Sequence, residues 1–124
     1  MTPPFGPRTT ADDVLAGVDL RNRRILITGA SSGIGRETAR ALVAHGAAVV
    51  GAVRDPAKAG VTASSIRDTA SPGDGSLAFI ELDLASLHSV RACTDQLLAD
   101  GRPFDAIIAN AGVMATPFGR TADG

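Results

Sequence analysis

No tyrosine occurs anywhere in the 124 residues, and there is one cysteine, Cys93. A lone cysteine closes no internal disulfide and builds no cysteine-rich zinc site, which fits a reducing compartment. No run approaches the ~20 apolar residues that a transmembrane helix needs. Met1 to Thr10 carries three prolines but no apolar core of a signal peptide. A soluble, cytoplasmic chain with no membrane partner is therefore expected. Charge of one sign is also missing: 12 basic residues face 13 acidic ones, for a net charge of −1. With no block of like charge, electrostatics give no reason to expect nucleic acid. His45 and His88 stand at no metal-ligand spacing, so no metal is expected.

What is present is a regular alternation of strand and helix signals, with a normal 44% of hydrophobic residues. Residues 1–19 read as a leader: Met1 to Arg8 is disordered or extended, and Thr10 caps a short helix near 11–16 that Gly17 ends. Residues 20–124 form the domain. Strands are predicted over 24–29, 47–53, 77–82 and 104–109, the second of them a nearly continuous apolar run suited to burial on both faces. A helix beginning near Gly33 carries the stripe Ile34, Thr38, Ala41, Leu42 and His45, and Gly46 stops it. Asp55 and Pro56 read as cap and first position of a weaker helix over 56–70, followed by a loop over 71–76. Ser86 caps a helix whose stripe is Leu87, Val90, Cys93, Leu97 and Leu98, ending at Gly101. Cys93 on that stripe reads as a small buried hydrophobe, not a nucleophile. Alternation of this kind is the pattern of a parallel sheet with helical crossovers.

The stretch from Ile25 to Gly35 organises the rest. An apolar run with β-branched residues gives way to a glycine-rich turn and then to a helix. Glycines there let the backbone turn tightly and approach a ligand closely. The first N–H groups of the helix and the positive end of its dipole favour an anion, typically a pyrophosphate.

These residues resemble the short-chain dehydrogenase/reductase family over about residues 20 to 118. The family's Thr-Gly-x-x-x-Gly-x-Gly spacing is found at Thr28, Gly29, Gly33, Ile34 and Gly35, its acidic residue after the third strand at Asp83, and its Asn-Ala-Gly at Asn110, Ala111 and Gly112. The stretches 12–15 and 110–114 also look like its retinol-dehydrogenase-like branch. The resemblance implies an α/β fold, a Rossmann-type doubly wound parallel sheet with only about four strands present, in the order 3-2-1-4. It implies that the turn from Gly29 to Gly35 holds the pyrophosphate and adenosine side of a dinucleotide. Asp83 and Leu84 would meet the adenine, with Asn110 to Gly112 beside the adenine ribose. Asn110 could equally serve to tie the fourth strand to its neighbours. After the second strand, where an acid would favour NAD, this chain has Val53 and Arg54, so NADP is expected, with Ser31 and Ser32 as further donors near its phosphate.

The family transfers hydride using a tyrosine as general acid/base, a lysine four positions on and a serine. Tyr-x-x-x-Lys cannot be placed in a chain without tyrosine. The resemblance therefore implies the N-terminal, cofactor-binding half of an NADP-dependent oxidoreductase, inactive alone, whose alcohol or carbonyl substrate is met by the full-length enzyme. The exposed edge of an incomplete sheet would leave it marginally stable or associated with a partner, such as another copy in a homo-oligomer. A non-catalytic NADP-sensing module is the alternative. A methyltransferase fits less well, because such proteins usually carry an acid where Val53 and Arg54 stand.

Overall fold

In the computed structural model, which describes residues 5–68, 71, 73–114 and 116–124, helices and strands alternate as the sequence predicts. Thr10 opens α1 (Ala11–Leu15): its hydroxyl accepts from Asp13 N at 3.1 Å while the Asp13 carboxylate accepts from Thr10 N at 2.9 Å. That reciprocal pair satisfies donors which a helix start otherwise leaves open. There follow β1 (Arg24–Thr28), α2 (Gly33–Ala44), β2 (Ala48–Val53), α3 (Gly60–Asp68), β3 (Ser76–Glu81), α4 (Leu87–Asp100) and β4 (Ala106–Ile108).

All strand pairs are parallel and the sheet order is β3-β2-β1-β4. Register sets Thr28 beside Ala52, and Ala52 beside Ile80, so the carboxyl ends of three strands finish nearly flush. Side chains alternate between the faces, as the pleat requires. Ile25, Ile27, Val49, Val53 and Leu77 pack with Leu42 and Val43 of α2 and with Ala63 and Ile66 of α3. Leu26, Ala52 and Ile80 pack on the other face against Cys93 of α4. Helices thus cover both faces of one sheet, the doubly wound arrangement.

Several expectations shift. The buried stripe of α2 is Gly35, Ala39, Leu42 and Val43, together with Ala41, one residue out of phase with the predicted one. Ile34, expected on that stripe, is 78% exposed. The cause is Gly35: a Cβ there would run into the carbonyl oxygen of Gly29 and lie 2.5 Å from Asn110 Nδ2. Its bare backbone, counted as no hydrophobe in the periodicity, faces the sheet.

The weaker helix begins at Gly60 rather than 56. Asp55 does cap, but its carboxylate accepts from Ala57 N (3.1 Å) and Lys58 N (3.3 Å) in a turn that precedes α3. Residues 69 and 70 of the expected helix lie outside the described residues, as do Met1 to Pro4 of the leader and Pro72 of the loop. The period of α4 is as read, yet among its residues only Cys93 is buried; Leu87 and Leu98 are exposed. β4 is a three-residue edge strand, shorter than the predicted 104–109, with Ile107 open on it, so the ends of α4 find little sheet to cover.

Candidate functional site

From β1 the chain steps outward to β2 and β3, then returns to the far side of β1 for β4. The connections diverge at the carboxyl ends of β1 and β4, the place where open α/β sheets form a crevice for ligands. A cleft of about 640 Å³ lies there, within the size range of small-molecule and cofactor sites.

Its inner corner is a set of hydrogen bonds around Thr28. The Thr28 hydroxyl accepts from Asn110 N at 3.0 Å and from Ala111 N at 2.9 Å, using both lone pairs. The Asn110 side-chain amide donates to the carbonyls of Thr28 (3.1 Å) and Gly29 (3.2 Å). Asn110 therefore does tie β4 to β1, and its Nδ2 is spent on backbone. Two glycines make the corner possible: Gly29 sits at φ +68, where a Cβ would lie 3.0 Å from Ala111 Cα, and Gly35 leaves no room for a Cβ.

Above this corner starts α2. Ser32 occupies its N-cap position in an extended conformation but makes no side-chain cap bond, so the first-turn N–H groups gain no acceptor from it. Ser31 is held from another direction: the Thr62 hydroxyl donates to Ser31 O at 2.8 Å. At the end of β2, Arg54 lines the cleft and is exposed, and its guanidinium makes no ion pair or hydrogen bond among the described residues. Past β3, the Asp83 carboxylate accepts from Ala85 N at 2.9 Å and its own N–H donates to Ser89 Oγ at 2.8 Å, which fixes the loop carrying the half-exposed Leu84.

The cleft brings together Gly29, Ser31, Ser32, Ile34 and Gly35 from the turn, Arg54 from the end of β2, Asp83 and Leu84 from the end of β3, and Asn110, Ala111 and Gly112 from the end of β4. Gly33 is the exception: at φ +58 it lines a separate hollow on the outer side of α2, with Arg36 and Ser65. Ile34, misassigned to the core, lines the cleft, which accounts for its exposure. Val53, expected beside Arg54, lines it as well, and so do Ala52 and Leu82, whose places at strand ends are the only signal the sequence carries for them. Thr121 arrives from the tail, where the Asp123 carboxylate accepts from Leu87 N at 2.8 Å. Nothing in the sequence signals that return.

Cys93 is buried away from the cleft, and burial pushes its thiol above the ordinary value. Among the described residues no group of three or more His, Cys, Asp or Glu side chains could hold a metal ion. No described helix is long and apolar enough to cross a membrane.

A parallel sheet wound on both faces, with a glycine turn feeding a helix at its switch point, defines the nucleotide-binding class of α/β folds. Within that class the chain belongs to the short chain dehydrogenase family, whose family model matches residues 23–123. In sequence it is retinol-dehydrogenase-like: it is 43% identical to human retinol dehydrogenase 12 over 108 residues, covering 86% of this chain and 33% of that one. It is 40% identical over 120 residues to the WW domain-containing oxidoreductase of Drosophila melanogaster, covering 97% of this chain and 29% of the relative. Among solved structures, the RhlG/NADP active-site complex of Pseudomonas aeruginosa matches with a TM-score of 0.64 and 31% identity, over 77% of this chain and 36% of that one. The chain spans about a third of the length of the curated relatives it matches.

Proposed function

We propose that the cleft binds NADP in preference to NAD, and that these residues form the cofactor-binding part of an oxidoreductase acting on an alcohol or carbonyl. The observation that carries this reading is Arg54, a cation with no partner among the described residues, placed at the end of β2 on the same cleft as the glycine turn. A guanidinium there can meet a ribose 2′-phosphate with paired, charge-assisted hydrogen bonds, where an acid would repel it. The residues present fit such a group. Removing the Cβ at Gly29 and Gly35 opens the corner, the uncapped first turn of α2 offers N–H donors to a pyrophosphate, and Ala52, Val53, Leu82 and Leu84 supply an apolar bed for a base. A solved relative of 31% identity is an NADP complex, which supports the same choice.

When bound, NADP would supply or accept the hydride. The chain's own residues hold and orient the adenosine end, and the tyrosine that the family uses to move the accompanying proton has no counterpart among them. A tyrosine serves that role only when neighbouring positive charge lowers its pKa from about 10. These 124 residues are therefore expected to bind cofactor without turning over substrate.

Titration of NADPH and NADH against the wild-type chain and Arg54→Ala tests the proposal. A charge-assisted bond is worth about 1.5–3 kcal/mol, so the variant should lose roughly tenfold or more in NADPH affinity and leave NADH unchanged. An unaltered preference would remove Arg54 from the argument. Reduction of carbonyls by the pure chain would refute the expected inactivity, and binding of neither nucleotide at millimolar concentration would refute the proposal.

A further inference from the structure

Thr62 is the one buried polar or charged residue among those described, at 5% exposure. A threonine within a helix commonly returns its hydroxyl to the carbonyl four residues back, and Thr38 and Thr94 do so here, donating to Ile34 O and Val90 O at 2.8 Å. Thr62 does not. Its hydroxyl leaves α3 and donates to Ser31 O, 31 residues away in the glycine turn. Among the described residues this is the only side-chain hydrogen bond to positions 31–33. Ser32 makes no cap bond of its own, and Gly33 sits at φ +58 with open space around it.

We propose that Thr62 is a positioning residue that holds the glycine turn at a set distance from Arg54, and so tunes discrimination by the cleft between dinucleotides with and without a 2′-phosphate. The proposal rests on the NADP reading above. Arg54 directly follows β2 and the chain then runs into α3, so the Thr62 to Ser31 bond ties the glycine turn to the helix that follows Arg54, while Ser31, Ser32 and Arg54 line one cleft. Ser31 is exposed, and its carbonyl can take a water in place of the lost donor. Losing the bond therefore loosens the turn more than it destabilises the fold.

Thr62→Val keeps the shape and removes the donor; Thr62→Ser keeps the donor. Binding of NADPH and NADH to the full chain is measured for both variants and the wild type, together with thermal midpoints and amide exchange of residues 32–34. Thr62→Val should bind NADPH up to about fivefold more weakly, because a loosened turn must be re-ordered on binding at a cost no greater than the neutral hydrogen bond it lost. Its NADPH-to-NADH preference should fall, exchange at 32–34 should quicken, and Thr62→Ser should restore all three. A structural role alone would lower the midpoint without moving the preference, and that result overturns the proposal. So does a Thr62→Val chain that binds both nucleotides as the wild type does. If the wild type itself binds neither, the NADP reading fails and the proposal falls with it.

Discussion

Replacing Thr28 by valine removes one oxygen on which two backbone donors converge. Ala111 N has the Thr28 hydroxyl as its acceptor at 2.9 Å, and valine would leave it without one. Asn110 N, at 3.0 Å, also reaches Ile108 O at 3.0 Å, so it keeps a partner. A net hydrogen bond contributes about 1 kcal/mol, and an orphaned buried donor costs more than a shared one. A full loss at Ala111 and a partial loss at Asn110 give roughly 1.5 kcal/mol. Valine matches the branching of threonine, so packing at the end of β1 is otherwise conserved. With a urea dependence of about 2 kcal/mol per molar, the unfolding midpoint should fall by roughly 0.7 M. Thr28→Ser retains the oxygen and should fall less, losing only one half-buried methyl. Equilibrium urea unfolding followed by circular dichroism reads both. A valine midpoint within about 0.2 M of wild type, or a serine variant as damaged as the valine, would refute the claim that this hydroxyl ties β4 to β1.

Gly35→Ala would push a Cβ into the Gly29 carbonyl oxygen; α2 must shift, costing about 1–3 kcal/mol, and calorimetry should show a lower midpoint together with weakened nucleotide binding. Cys93 should react with a disulfide reagent far more slowly in the folded chain than in denaturant, because burial raises its thiol above the ordinary 9.0. A raised folded value favours the protonated thiol, so its contribution to stability is present below the unfolded pKa and is lost as pH rises through the folded one. Urea midpoints measured on the alkaline side of 9 should therefore decline more in the wild type than in Cys93→Ala.

Strands were readable because their signals are local: Ile25, Leu26 and Ile27 form a short apolar run closed by a glycine turn, and such a run fits the buried centre of a parallel sheet. The parallel register then carried the ends of four strands to one place, which is why widely spaced residues such as Arg54, Asp83 and Asn110 share a cleft. The phase of α2 was misread for a physical reason. Apolar periodicity counts side chains, whereas the face of α2 that meets β1 is defined at Gly35 by the absence of one. Burial along α4 was overstated because periodicity shows which face a helix prefers but not how much sheet lies beneath it; β4 offers three residues, and Ile107 among them is 66% exposed. Thr62 and Thr121 had no signal, since each acts through a contact with a segment far away in sequence.

Those distant contacts bear on what the cleft can do before any ligand arrives. Its corner is closed by bonds from Asn110 and Ala111 to Thr28, and its turn is tethered by Thr62 of α3 to Ser31, so both walls are assembled by contacts distant in sequence and not by local sequence. The protein thus satisfies its own backbone where the strands meet, yet leaves Ser32 without a cap bond and Arg54 without a partner among the described residues, both on the cleft. Open donors and an open cation on one preformed surface lower the ordering cost of binding. A ligand with negative charge at two separated points would engage both, which is the demand that a pyrophosphate and a 2′-phosphate on one molecule meet.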